Sequence, residues 1–335
     1  MRVSIKDIAK AAGVSHATVS RALSDSPLIS QGTKARVQSL AREMGYSPNA
    51  LARGLVTRQT HSVGVVVTTI ADPFVAEIVQ GVEATAHDRG YTVILCNCGA
   101  APEREIAAVE MLGSKRVDGV IVTSSRVGAL YLDHLERIGV PIVLINNHNE
   151  QSGRYTFSVT VDNRDGGRLA TEHLVQLGHR RIGYITGPAD NSSDLDRLAG
   201  YRQTLLDGGI VPDPALVVPG NGRPDGGEQA LEPLLSMDEP PTAVFCYNDM
   251  TAIGLVHAAR RKQLSIPSDL AVVGFDDILF ASYLHPSLTT VAQLKVEMGE
   301  RAMGMMLSLI TAGEDSDQEV ANIVIQGRLI VRAST

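Results

Sequence analysis

The chain has 335 residues, of which 44% are hydrophobic and 20% charged. This length allows two or three folding units, and the composition is typical of a soluble globular protein. The N-terminus, MRVSIKDIAK, lacks the apolar run of a secretory signal. No stretch approaches the roughly 18 consecutive apolar residues of a membrane span. These features disfavour secreted and membrane proteins, so we expect a cytoplasmic protein without a membrane partner.

The three cysteines do not indicate a metal site. Cys96 and Cys98 end an apolar run, and neither a histidine nor a second cysteine pair follows at zinc spacing. We therefore expect reduced thiols, no bound metal and no cofactor.

The net charge of −7 is unevenly distributed. Residues 1–60 contain nine Lys and Arg against three Asp and Glu, a net charge of +6 that leaves −13 for the remainder. A basic head on an acidic body suits binding of a phosphate backbone at one end. An ordinary solvated basic surface explains a modest excess of this kind equally well.

The first 46 residues have the pattern of three short helices. Ser4 and Ser15 are candidate N-caps, each followed by apolar residues at helical spacing, and Gly13 separates the two helices. A third helix is predicted at about 32–44. The second helix presents small and polar residues on its outer face, as a recognition helix in the DNA major groove requires. These outer residues are His16, Ala17, Thr18, Ser20 and Arg21.

A short amphipathic segment follows at residues 47–55. It begins with a candidate cap, Ser47, and Pro48 at the first helical position, but it contains Gly54. So short a helix is marginal alone in water, and we expect it to order only when something packs on it.

The head resembles the lactose-repressor (LacI/GalR) family almost residue for residue. The matching stretches are Ser4-Ile5-Lys6-Asp7-Ile8-Ala9-Lys10-Ala11-Ala12-Gly13-Val14-Ser15, Thr18-Val19-Ser20-Arg21 and Gly45-Tyr46-Ser47-Pro48-Asn49-Ala50-Leu51-Ala52-Arg53. The resemblance implies a repressor whose segment 47–60 is a hinge helix and linker, with Leu55 wedged into the central base step of a pseudo-palindromic operator. It also implies base reading by His16, Ala17 and Arg21. Further DNA contacts are implied for Ser4, Ser15, Thr18, Ser20, Thr33, Tyr46, Asn49 and Arg53.

From residue 61 the sequence alternates between β-branched apolar runs and helical patterns, which predicts parallel sheets. Strands are expected at 63–68, 92–96, 119–123, 141–145, 181–186, 216–218, 243–246 and 270–274. Helices are expected near 74–89, 165–177, 195–206, 226–235 and 250–261. Such alternation gives two doubly wound sheets, with ligands bound beyond the carboxyl ends of the strands.

Polar residues follow several of these strands, and they have two interpretations. Carboxylates, an amide, an arginine and an aromatic ring could bind a small polyol or sugar; these residues are Asp72, Phe74, Asp162, Arg197, Asn248 and Asp276. Alternatively they cap helices, an interpretation favoured for Asp165, Asp249 and Asp277. For Asp72 and Asp162 both interpretations stay open.

The body is similar to the same family, and so to periplasmic sugar-binding proteins in fold. Matching stretches include Asp72-Pro73-Phe74, Arg197-Leu198-Ala199-Gly200-Tyr201 and Val273-Gly274-Phe275-Asp276-Asp277. The resemblance implies that Arg197, Asn248 and Asp276 bind an effector, that Phe74 stacks on it, and that Asn191 and Ser193 line the pocket. One departure is Gly220-Asn221-Gly222-Arg223, where many members carry an aromatic residue.

These observations predict an all-α helix-turn-helix head (1–46), a hinge (47–60) and a periplasmic-binding-protein-like body (61–335). The body is divided into one lobe of 61–160 plus 291–320 and another of 161–290 plus 321–335. Two operator half-sites favour a homodimer. No enzyme motif is found, so we expect no catalysis; a solute-binding receptor, an enzyme, and control by a phosphoprotein are the competing hypotheses.

Overall fold

The computed structural model describes residues 3–46, 59–124, 139–146, 156–189, 191–312 and 322–335. The chain divides into two units, Met1–Thr60 and His61–Thr335. Elements are numbered here in chain order over the described residues. The helices are α1 (Ile5–Ala12), α2 (His16–Leu23), α3 (Gln31–Glu43), α4 (Pro73–Asp88), α5 (Pro102–Ser114), α6 (Asn163–Gln176), α7 (Ser192–Asp207), α8 (Pro224–Leu235), α9 (Asp249–Arg261), α10 (Leu279–Tyr283) and α11 (Lys295–Ala312).

The described strands form two six-stranded sheets. They are β1 (Ser62–Val67), β2 (Thr92–Asn97), β3 (Gly119–Thr123), β4 (Ile142–Ile145), β5 (Thr156–Val161), β6 (Ile182–Ile185), β7 (Val217–Val218), β8 (Ala243–Cys246), β9 (Ala271–Asp276), β10 (Thr289–Ala292), β11 (Ile323–Ile325) and β12 (Arg328–Ile330). The first sheet has the order β11-β5-β4-β3-β1-β2 and the second β12-β10-β9-β8-β6-β7. The strand pairs are parallel except that of β10 with β12.

The head is a three-helix unit with its own small core. Ile8 of α1, Val19 and Ala22 of α2 and Val37 of α3 are buried against one another. Gly13 ends α1 in the left-handed region at φ 62° and so allows the tight turn into α2. The predicted helix-turn-helix is confirmed.

Each sheet of the body is covered by helices on both faces, which confirms the predicted doubly wound architecture. In the first lobe, Ile78 of α4 and Met303 of α11 pack with Val65 on one face of the sheet. Leu112 of α5 packs with Val120 on the other face. The predicted strands and helices lie within three residues of those observed at every end.

The predicted division of the lobes needs two corrections. Strand β11 pairs with β5 in the first sheet, although residues 321–335 were all assigned to the second lobe. Val291 and Ala292 of β10 belong to the second sheet, although 291–320 was assigned to the first lobe. Only Gln326 and Gly327 separate β11 from β12. The sequence of this region therefore resembles one continuous strand, although the chain passes from the first sheet to the second within it.

Helices α4 and α11 approach so closely that only glycine fits at two positions. A Cβ atom on Gly81 of α4 would lie 2.1 Å from the Val296 carbonyl oxygen of α11. One on Gly299 of α11 would lie 2.2 Å from the Ile78 carbonyl oxygen of α4. Since these neighbours are backbone atoms, the two helices cannot accept a larger residue without moving apart.

We predict that Gly299→Ala destabilises the protein by about 1–3 kcal/mol, because the added methyl group overpacks the α4–α11 contact. Gly304→Ala on the same helix is the matched control. Its Cβ meets no atom within 4 Å, so it should gain up to about 1 kcal/mol from helix propensity. Urea unfolding of both variants measures the difference, and an equal effect at the two positions would contradict the steric argument.

Candidate functional site

The second helix of the head presents a polar outer surface. Val19 and Ala22 face the core, whereas His16, Ala17 and Arg21 are exposed. Ser20 is also exposed, and Thr18 is half-buried. The structure therefore places the residues expected to read DNA on the face of α2 that the head core leaves free.

The residues expected to contact phosphates lie at helix starts. Ser15 caps α2, its hydroxyl accepting from the amide N–H of Thr18 at 3.1 Å. Ser4 caps α1, where its amide and hydroxyl both donate to the Asp7 carboxylate, at 2.9 and 2.7 Å. Thr33 lies in the first turn of α3. Free amides at helix starts favour phosphate oxygens.

Tyr46 packs against the head core. Asn49, Arg53 and Leu55, with most of the predicted hinge, lie outside the described residues.

A cavity of about 440 Å³ opens between the two sheets of the body. It is lined by seven of the eight residues expected to bind a ligand: Asp72, Phe74, Asn191, Ser193, Arg197, Asn248 and Asp276. The first lobe supplies Asp72 and Phe74, and the second lobe supplies the others. A molecule bound there would touch both lobes.

The eighth residue, Asp162, does not line the cavity. Its carboxylate accepts from the amide N–H of Asp165 at 2.9 Å and caps α6. The structure thus favours the capping interpretation for Asp162.

Three of the cavity residues are also N-caps. The Asp72 carboxylate accepts from the amide of Phe74 at 3.0 Å, at the start of α4. Asn191 accepts from the amide of Asp194 at 3.1 Å, and Asn248 from that of Thr251 at 2.9 Å, at the starts of α7 and α9. Capping and cavity lining are therefore compatible, because the side chains that accept these bonds also line the cavity.

Arg197 supplies a buried cation and is held on several sides. Its Nε donates to Asn163 Oδ1 at 2.9 Å, and one terminal nitrogen donates to the Tyr247 carbonyl at 2.6 Å. Its guanidinium carbon lies 3.7 Å from the centroid of the Phe275 ring. Rings and acceptors fix the guanidinium so that it faces the cavity in one orientation.

Asp276 supplies a buried carboxyl to the same cavity. Its Oδ1 accepts from Gln293 Nε2 at 2.6 Å. Burial raises the pKa of Asp276 to about 7; the Arg197 guanidinium opposes this rise and the Asp72 carboxyl adds to it. Burial also raises the pKa of Asp72 itself, although the amide of Phe74 opposes this. The cavity thus holds two carboxyls that are hard to ionise together.

Sequence reasoning missed Asn146 and Gln293, which also line the cavity. Asn146 Nδ2 donates to Gln293 Oε1 at 3.2 Å, so a line of amide hydrogen bonds runs from β4 of the first lobe to Asp276 of the second. Asn146 Oδ1 is buried without a hydrogen-bond partner among the described residues. Asn146 directly follows β4, so the strand-end rule could have identified it; Gln293 follows a strand that was not predicted.

No helix in the part of the chain that the structure describes is long and apolar enough to cross a membrane. No group of three or more His, Cys, Asp and Glu side chains there could hold a metal ion.

Comparisons with known proteins extend over the whole chain. The family of bacterial regulatory proteins, lacI family, matches residues 4–49, and the periplasmic binding protein-like domain matches residues 171–335. The chain is 35% identical over 335 residues to the HTH-type transcriptional repressor PurR of Haemophilus influenzae strain PittEE, covering 98% of each sequence.

Solved structures are similar at full length. The lac repressor dimer bound to operator and the anti-inducer ONPF is 28% identical, with a TM-score of 0.88 over 100% of this chain and 99% of that chain. The complex of the transcriptional regulator CelR with cellobiose is 32% identical, with a TM-score of 0.76 over 100% of both chains.

A helix-turn-helix head with an exposed polar second helix, followed by a two-lobed body around a polar cavity, defines a ligand-responsive DNA-binding protein. The full-length similarity narrows this class. The chain belongs to the lacI family of bacterial regulatory proteins and is a DNA-binding transcriptional regulator.

The raised pKa of Asp276 predicts that stability depends on pH. Because the folded protein holds this proton up to about pH 7 and the unfolded chain releases it near the ordinary value of 3.8, folding stability falls as pH rises between these values. Asp276→Asn removes this dependence. Its free energy of unfolding, relative to that of the wild type, should therefore increase by more than about 1 kcal/mol as the pH is raised from 4 to 8. Urea unfolding at several pH values measures it, with Asp238→Asn at an exposed position as the control. A difference between Asp276→Asn and the wild type that is constant with pH would contradict the assignment.

Proposed function

We propose that this protein is a cytoplasmic homodimeric repressor of a pseudo-palindromic operator. We further propose that a small polyol or sugar bound in the cavity controls its affinity for that operator. The observation that carries the proposal is the shared cavity, because Asp72 and Phe74 come from one lobe and Arg197 and Asp276 from the other. A ligand that contacts both lobes changes the free energy of one lobe arrangement relative to another.

The lining favours a hydroxyl-rich ligand. Acceptors and donors face the cavity together: Asp72 and Asp276 can accept from hydroxyl groups, and Arg197 can donate to them. Phe74 offers an aromatic face for the apolar side of a sugar ring. The complex of the similar regulator CelR contains a sugar, cellobiose, which supports this class.

The head is proposed to read DNA through α2. Arg21 is exposed in the last turn of α2 and can bond guanine O6 and N7 together. His16 and Ala17 are exposed in the first turn of the same helix. The similar lac repressor is a dimer on its operator, which supports two heads on two half-sites. We propose that a rotation of the two lobes relative to each other changes the affinity for DNA through the segment 47–60, with Asn49, Arg53 and Leu55 in the minor groove.

We predict that Arg21→Ala weakens binding to the preferred operator by about 10- to 100-fold, the loss of one bidentate base contact. The probe is a duplex selected by the full chain from a random library. Arg260→Ala, at an exposed position of α9 in the body, removes the same charge and should leave binding unchanged. Gel shifts measure both. Equal losses in the two variants, or equal losses of Arg21→Ala on selected and unrelated duplexes, would contradict base reading by Arg21.

We predict that a panel of sugars, sugar phosphates, nucleosides and purine bases contains a compound that stabilises the protein. At a concentration of 100 times its Kd, this compound should raise the free energy of unfolding by about 2.7 kcal/mol. Ser193→Ala should weaken its binding by about 3- to 10-fold, because Ser193 lines the cavity and its hydroxyl has no hydrogen bond within the described residues. Ser236→Ala, at an exposed position, is the control. Thermal shift and calorimetry give the affinities.

The same compound should change operator affinity in the gel shift, and the direction distinguishes an inducer from a corepressor. Binding without an effect on operator affinity would contradict the regulatory half of the proposal. Chemical turnover of the compound by dialysed protein would favour an enzyme instead.

A further inference from the structure

The cavity wall at the end of β9 has an unfavourable backbone conformation. Asp276 has φ 118° and Asp277 φ 53°, both in the region that residues with a side chain rarely adopt. Such residues persist only where surrounding contacts hold them, and they cluster at functional sites. The Asp276 side chain also lines the cavity, together with Arg197.

The contacts that hold this segment converge on Lys295, the first residue of α11. Its ammonium donates to the carbonyl oxygens of Asp276 at 2.7 Å and Asp277 at 2.6 Å. The ammonium also forms an ion pair with a carboxylate oxygen of Glu77 at 3.4 Å. The Lys295 side chain is only 5% exposed, so two hydrogen bonds and one ion pair take the place of water around its ammonium group.

The three oxygens around the ammonium group belong to different lobes. Glu77 lies on α4 of the first lobe, and the two carbonyls lie at the end of β9 in the second. Helix α4 begins at the cavity, where Asp72 and Phe74 form part of the wall. Because α4 and α11 are in backbone contact at Gly81 and Gly299, a displacement of α4 carries the base of Lys295 with it.

We propose that Lys295 is a positioning residue that ties the Asp276 carboxyl to helix α4, so that the placement of this carboxyl in the cavity changes together with the angle between the lobes. This inference rests on the proposed function, in which the cavity binds the effector. It assigns the coupling between the lobes to one buried ammonium, its two hydrogen bonds to the second lobe and its ion pair with Glu77 of the first. The alternative is that Lys295 only stabilises its immediate surroundings in the second lobe.

The first test needs no ligand. Amide hydrogen exchange is measured on the full chain for Lys295→Met and Glu77→Gln. The reporters are the amides of Ile278, bonded to the Asp249 carboxylate at 2.9 Å, and Phe74, bonded to Asp72 at 3.0 Å. Lys295→Met should accelerate exchange at both by at least about tenfold, since a buried charge-assisted hydrogen bond is lost.

Glu77→Gln gives the decisive result. Glu77 is in the first lobe, yet we expect its substitution to accelerate exchange at Ile278 in the second. Arg301→Met on α11 and Glu83→Gln on α4, both at exposed positions, are the matched controls and should leave both reporters unchanged. Unchanged exchange at Ile278 in Glu77→Gln, or acceleration confined to Ile278 in Lys295→Met, overturns the proposal.

The second test uses the compound of the sugar and nucleoside panel that stabilises the wild type most. Its affinity should fall at least about tenfold in Lys295→Met and stay unchanged in Arg301→Met. An unchanged affinity in Lys295→Met overturns the inference and leaves the proposed function intact. If no panel compound binds the wild type, the effector half of the proposed function fails, and the exchange experiment still decides the role of Lys295.

Discussion

Backbone amides in the first turn of a helix have no partner within the helix, and the strands around the cavity lead into such helix starts. Asp72, Asn191 and Asn248 supply the missing acceptors and form the cavity wall with the same side chains. The site is therefore fixed by the same bonds that begin its helices. A ligand meets positions that are already set, which reduces the entropy cost of binding.

This double use explains how much of the site the sequence could predict. Caps are local patterns, so Asp72 and Asn248 could be located from the chain order of strand, polar residue and helix. The head was predictable for the same reason, since Ser15 and Gly13 mark helix ends without help from distant residues. Asp162 has the same local pattern but lies outside the cavity. Local chemistry therefore gave the candidates, and only the tertiary structure separated them.

Apart from Asn146, which a local rule could have identified, the features that sequence reasoning missed are non-local. Gln293 acts between Asn146 and Asp276, partners that are far away in the sequence. Its position depends on β10, a four-residue strand, and the lobe boundary depends on β11, a three-residue strand. Strands this short have too little periodicity to be recognised in the sequence. The sheet to which each belongs depends on the strand with which it pairs. The chain crosses between lobes at these strands, so the prediction was weakest where the lobes join.

The cavity charges give the lobe arrangement a reason to depend on a ligand. Asp72 belongs to the first lobe and Asp276 to the second. The Asp72 carboxyl contributes to the raised pKa of Asp276, and the Arg197 guanidinium opposes it. Bringing the lobes together concentrates two carboxyls around one guanidinium, which is unfavourable in a buried space. A ligand that places hydroxyl donors between the two carboxyls offsets this cost only when both lobes contact it. In the proposed function, the placement of one acid on each lobe therefore supplies the energetic difference between lobe arrangements with and without ligand that regulation requires.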